Sequence, residues 1–153
     1  MEITITEKMR SSKENTSRKD SWSGMNWITQ VKRLSIYLRD GVSCAYCSQS
    51  VEDGVRLTLD HILPHSMNGS NHETNLITCC SVCNSSRGNR SVIEFAEGVA
   101  HYLNIEAEEI INHIIESKER DLPVKEAMTL IERRGSAAKA IKAARKVRGV
   151  SYE

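Results

Sequence analysis

The sequence predicts an α+β fold, with short strands between two cysteine pairs, one helix before them and a helical region after them. Three observations point there. Cys44-x2-Cys47 and Cys80-x2-Cys83 bracket a stretch with few large apolar residues. Within it "VRLTLDHI" alternates and is β-rich, as a strand does. Beyond Ser91, apolar residues recur at helical spacing.

The bulk numbers set the class. A chain of 153 residues is about one domain. With 39% hydrophobic and 27% charged residues it reads as a globular protein with a helical bias. No apolar run nears the ~18 residues of a membrane span. The N-terminus has neither a hydrophobic segment nor a cleavage site, so a cytoplasmic protein is expected. The net charge of +1 hides a segregation. Residues 91–134 hold ten acids against five bases, whereas 135–153 hold five bases and one acid. Local cation density, rather than net charge, is what phosphates feel.

Residues 1–24 are polar and aperiodic and are expected to form a flexible tail. Trp27, Val31, Leu34 and Leu38 then fall at helical spacing, with Gly41 as the stop. The core is expected over 25–92. It holds a first knuckle, a Gly-bearing turn "EDGV", the strand, a loop "SMNGSNHET" and a second knuckle. A helical extension should occupy 93–153. Val92, Phe95, Ala96, Val99 and Leu103 form its first stripe. A second helix has acids in its first turn and Lys118 near its end, matching the helix dipole. A third starts at Pro123 and stops at Gly135. A fourth, capped by Ser136, sets Ala137, Ile141, Ala144 and Val147 against a basic face.

So small a core needs a staple, and a structural zinc is the obvious one. Two CxxC turns offer four thiolates to a tetrahedral ion, leaving no open position for catalysis. Cys79 makes the register ambiguous. The two-residue spacing favours Cys80 as the ligand, leaving Cys79 as a small core residue.

Inside the core, "LTLDHILPHS" sets His61 and His65 four residues apart, the spacing of two ligands on a helix. Pro64 opposes a helix there: it lacks a donor and pushes Leu63 to extended geometry. His61 is expected at a strand end and His65 in the loop beyond. A zinc hydrolase using both histidines is therefore disfavoured.

The order of residues is more specific. Asp60-His61 is followed by Asn75 and then by Asn84, directly after the last knuckle cysteine. With "YLRDGVSCAYC" ahead of it, this pattern over roughly residues 28–92 resembles the HNH (ββα-metal) endonuclease family. The resemblance implies a ββα core and a DNA endonuclease with 5′-phosphate and 3′-hydroxyl products. His61 would be the general base acting on water. Asp60 and Asn84 would bind one divalent ion, most naturally Mg²⁺, through hard oxygens. Asn75 would hold the loop and help orient His61.

Relatives often carry Lys near the position of Arg87, and Arg keeps the cation for a phosphate. Arg90 and His65 are further candidates for nucleic-acid contact. His72, His101 and His113 are read as non-catalytic, and Trp22 and Trp27 as packing residues. The acidic helices suggest a homodimer or partner-protein surface. The competing function is a zinc-knuckle nucleic-acid-binding module without catalysis; the full set of Asp60, His61 and Asn84 argues for the enzyme.

Overall fold

In the computed structural model, which describes residues 27–146, helix α1 runs Gln30–Arg39. Thr29 caps it, its side chain accepting from the Lys32 amide, as expected of a short hydroxyl at this position. Trp27, expected to open the helical stripe, stands before the cap. Leu34 is fully buried and Leu38 half-buried. The helix stops as anticipated: Gly41 takes a φ of 84°, a left-handed conformation that costs glycine nothing. The expected tail over 1–24, with Trp22, lies outside the described residues.

Strand β1, Leu57–His61, pairs antiparallel with β2, Leu76–Cys80. The register sets Leu57 opposite Cys80 and His61 opposite Leu76. Helix α2, Ser81–Arg87, follows β2 without a break, so the centre of the chain is a ββα unit. The first knuckle is tied to the sheet where the Ala45 amide donates to the Thr78 carbonyl at 2.9 Å.

All of β2 is buried, because apolar clusters cover both of its faces. One cluster joins Ile77, Cys79 and the knuckle residues to Phe95, Ile110 and Ile114. The other joins Leu76, Leu57 and Leu59 to Leu34, Ile36, Ala127 and Ala140. Cys79 is wholly buried, in the first of these.

The helical region supplies those partners. Helix α3 runs Val92–Leu103 behind a capping box of Ser91 and Glu94. Val92, Phe95 and Ala96 face inward as predicted, but Leu103 is 37% exposed and Ala100 is buried instead. The chain reverses there: Asn104 is left-handed, and the Ile105 amide folds back onto the Ala100 carbonyl. Helix α4, Ala107–Lys118, returns against α3. Pro123 stands at the cap position of α5, Val124–Arg134, rather than in its first turn. Helix α6, Ala137–Ala143, begins where Ser136 accepts from the Lys139 amide. It is shorter than its predicted stripe: Ala144 is already extended, and Val147 lies outside the described residues. Gln30 accepts from the Ala137 amide at 2.8 Å, tying α6 back to α1. Among the described residues, no helix is long and apolar enough to cross a membrane.

Candidate active site and metal centre

The two knuckles converge by the same local device. The Cys44 sulfur accepts from the amides of Tyr46 and Cys47, and the Cys80 sulfur from the amide of Cys83, all at 3.4 Å. The sulfurs of Cys44, Cys47, Cys80 and Cys83 lie within 4.8 Å of one another, and none is in a disulfide. Cys47 and Cys80 are 3.8 Å apart, sulfur to sulfur. Four thiolates ~2.3 Å from a tetrahedral zinc would stand about 3.8 Å apart, so the cluster is consistent with zinc.

The four thiols do not share charge equally. Burial works against ionising Cys44, but hydrogen bonds from the neighbouring thiols outweigh it and hold its sulfur well below the usual thiol range. Hydrogen bonding to Cys44, with burial behind it, pushes Cys80 and Cys83 up. A cation held among the four would favour the thiolate form of each. Cys79 is not one of the four: its thiol neighbours Cys44 and donates to the Cys80 carbonyl at 3.3 Å.

The end of β1 lies beside this centre. Asp60 is 7% exposed and shares one carboxylate oxygen between two donors. Arg87 Nη1 reaches Oδ2 at 2.7 Å and the Tyr46 hydroxyl reaches it at 3.1 Å. Burial raises the Asp60 carboxyl from its ordinary value, and Arg87 pulls it part of the way back. Tyr46, between the cysteines of the first knuckle, is fully buried. Burial and the adjacent Asp60 charge raise its hydroxyl well above the ordinary value, which keeps it a donor.

Arg87, expected at a phosphate, is turned inward and is only 2% exposed. Besides Asp60 it donates to the carbonyls of His61, Ile62 and Arg90, each at 2.8 Å. Three of its four acceptors come from consecutive residues at the end of β1. The guanidinium therefore holds the backbone that turns between Asp60 and its neighbours. Arg90 is exposed, donates to the Ser86 carbonyl and lies over the Phe95 ring at 5.3 Å.

His61 closes β1. Its Nε2 is 2.8 Å from Asn71 Oδ1, and its ring lies 5.1 Å from Trp27 and 5.8 Å from His65, centre to centre. Burial lowers its pKa from the ordinary value, with the Asn71 contact acting the other way. His65 is exposed, on a short turn after Pro64.

Asn75 is fully buried and clasps the loop between the strands. It accepts from the Leu63 amide at 2.8 Å and donates to the carbonyls of Leu63 and Ser70 at 3.1 and 2.9 Å. Gly69 permits this closure, since a Cβ there would collide with the Leu63 carbonyl. No hydrogen bond joins Asn75 to His61 among the described residues. Asn84, on α2, donates to Thr58 Oγ1 at 3.0 Å and to the Leu59 carbonyl at 3.2 Å, which fastens it to β1 next to Asp60.

Sequence reasoning gives three residues around this site no part in it. Tyr46 could have been suspected, as a large aromatic between knuckle cysteines has only the core to enter. Trp27 is expected only to pack, and its spacing does not reveal the contact with His61. Asn71 carries no signal of its own among the polar residues of its loop.

Residues 44–97 match the model of the HNH endonuclease family. No curated protein matches the chain. The matched stretch runs from the first knuckle into α3 and contains Asp60, His61, Asn75 and Asn84.

Proposed function

Proceeding from that match, we propose that the protein is a metal-dependent DNA endonuclease in which His61 is the general base. One observation carries the reading furthest. The amide nitrogen of Asn84 is spent on β1, and Oδ2 of Asp60 is spent on Arg87 and Tyr46. Asp60 Oδ1 and Asn84 Oδ1 have no hydrogen bond among the described residues. Two unspent hard oxygens on adjoining elements suit a small divalent ion that keeps water and phosphate as its other ligands. Such an ion, held by Asp60 and Asn84, would polarise the scissile phosphate and stabilise charge on the leaving 3′-oxygen.

The protein's own share is positional. Arg87 and Tyr46 hold Asp60 by one oxygen, leaving the other without a hydrogen bond among the described residues, and they offset the cost of burying its charge. Burial lowers the His61 pKa and so favours the neutral ring, which can take a proton from water as that water attacks phosphorus. Asn75 sets the path of the loop beyond His61. Arg90 and His65, both exposed, are the side chains available to the phosphate backbone. The four-cysteine centre has a structural part only, because four protein thiolates leave zinc no position for substrate.

The test is cleavage of supercoiled plasmid by the purified chain with Mg²⁺ or Mn²⁺, beside His61→Ala. A general base contributes ~10²–10⁴ in rate, so the variant should nick slower by about that factor while binding DNA equally well. Equal cutting by both proteins would overturn the assignment of His61. Binding without cutting by either would favour a nucleic-acid-binding module.

A further inference from the structure

We infer that Asn71 is the positioning residue for His61, selecting which ring nitrogen carries the proton. The inference rests on the reading of His61 as the base. An amide oxygen only accepts, so the 2.8 Å contact between Asn71 Oδ1 and His61 Nε2 requires the hydrogen on Nε2. In the neutral ring that leaves the lone pair on Nδ1. Nδ1 is then the atom that takes the proton from water.

The surroundings hold Asn71 for this task. Its own carbonyl accepts from Lys32 Nζ at 2.9 Å, and Lys32 lies 3.7 Å from the Glu73 carboxylate. The residue before it, Ser70, is buried, and its carbonyl is bound by Asn75. The loop is thus pinned from α1 on one side and by Asn75 on the other, with Asn71 between the two pins. Trp27, just before the cap of α1, packs on the His61 ring and limits its rotation. The roles expected together of Asn75 are divided: Asn75 closes the loop, and Asn71 touches the imidazole.

The test uses the full chain with ¹⁵N-labelled histidine, comparing wild type, Asn71→Asp and Asn71→Leu. Long-range ¹H–¹⁵N correlation is recorded above the imidazole's titration, where the ring is neutral. Wild type and Asn71→Asp, which keeps an acceptor oxygen, should show His61 protonated on Nε2. Asn71→Leu should show a mixture or the Nδ1-protonated form. Its plasmid cleavage should fall on the order of 10–10²-fold, as for a misoriented reacting group, with DNA binding unchanged. If Asn71→Leu fails to fold, Asn71→Ser, too short to reach the ring, is read by the same criteria. A wild-type His61 protonated on Nδ1, or a tautomer indifferent to these substitutions, would overturn the inference. If the tautomer responds as stated but wild type cuts no DNA, the nuclease reading fails while the contact stands.

Discussion

Arg87 donates to four acceptors at 2.7–2.8 Å from a buried side chain, and the side chain of its ion-pair partner Asp60 is buried too. Water screens such a pair little, so the small values typical of surface salt bridges do not apply. Removing the cation leaves a buried carboxylate with only Tyr46, and three carbonyls without their donor. Arg87→Ala should therefore lose about 3–5 kcal/mol of unfolding free energy, read from urea denaturation. A loss below about 1 kcal/mol would mean that the guanidinium is solvated rather than locked to β1. From sequence this residue is expected at a phosphate, because Arg after a knuckle has the right chemistry for one. Which way it turns depends on the distant Asp60 and on the end of β1, contacts that no local pattern reveals. The same holds for Asn71, whose partner lies ten residues away across a loop.

Helix α3 is seated on the first knuckle through the chain's one phenylalanine. Phe95 meets Tyr46 edge-on, with ring centres 4.8 Å apart at 75°, and is 5% exposed. An edge-to-face pair adds ~0.5–1.5 kcal/mol to the burial of the rings themselves. Phe95→Ala should cost about 3–5 kcal/mol, measured as a lower urea midpoint at unchanged slope. Because Tyr46 also holds Asp60, the variant should weaken Mn²⁺ binding in a titration followed by the metal's paramagnetic signal. A midpoint shift worth less than about 1 kcal/mol would show that α3 is not fastened there. Elements such as these were largely legible in the sequence. The knuckles, β1 and all four C-terminal helices follow from spacing, caps and left-handed glycines, which are short-range signals, whereas the ββα order follows from the family resemblance. What was not legible is where helices cease to face the core: Leu103 has the right spacing, but the reversal at Asn104 buries Ala100 instead. The full burial of β2 was equally hidden, since it follows from helices far along the chain covering both faces.

At the scale of the molecule, the four-cysteine cluster and the helices share one interior. Cys44, Cys80 and Cys83 sit in the same apolar cluster as Phe95, Ile110 and Ile114. Across β2, Leu76 and Leu57 belong to the cluster that α1, α5 and α6 complete. The helical region is thus built onto both sides of the small core. Zinc binding in small modules contributes on the order of 10–16 kcal/mol, and a whole domain is stable by only ~5–15 kcal/mol. Losing the ion should therefore unfold the helices together with the knuckles. Chelation of zinc should remove most of the helical far-ultraviolet circular dichroism in one transition, and restored zinc should bring it back. Cys80→Ser should reproduce the loss, whereas Cys79→Ser should retain one zinc per chain by metal analysis, because Cys79 lies outside the four-sulfur set. If chelated protein kept the signal of α4 to α6, those helices would form a cooperative unit of their own. The shared burial of β2 predicts instead that they fall with the zinc.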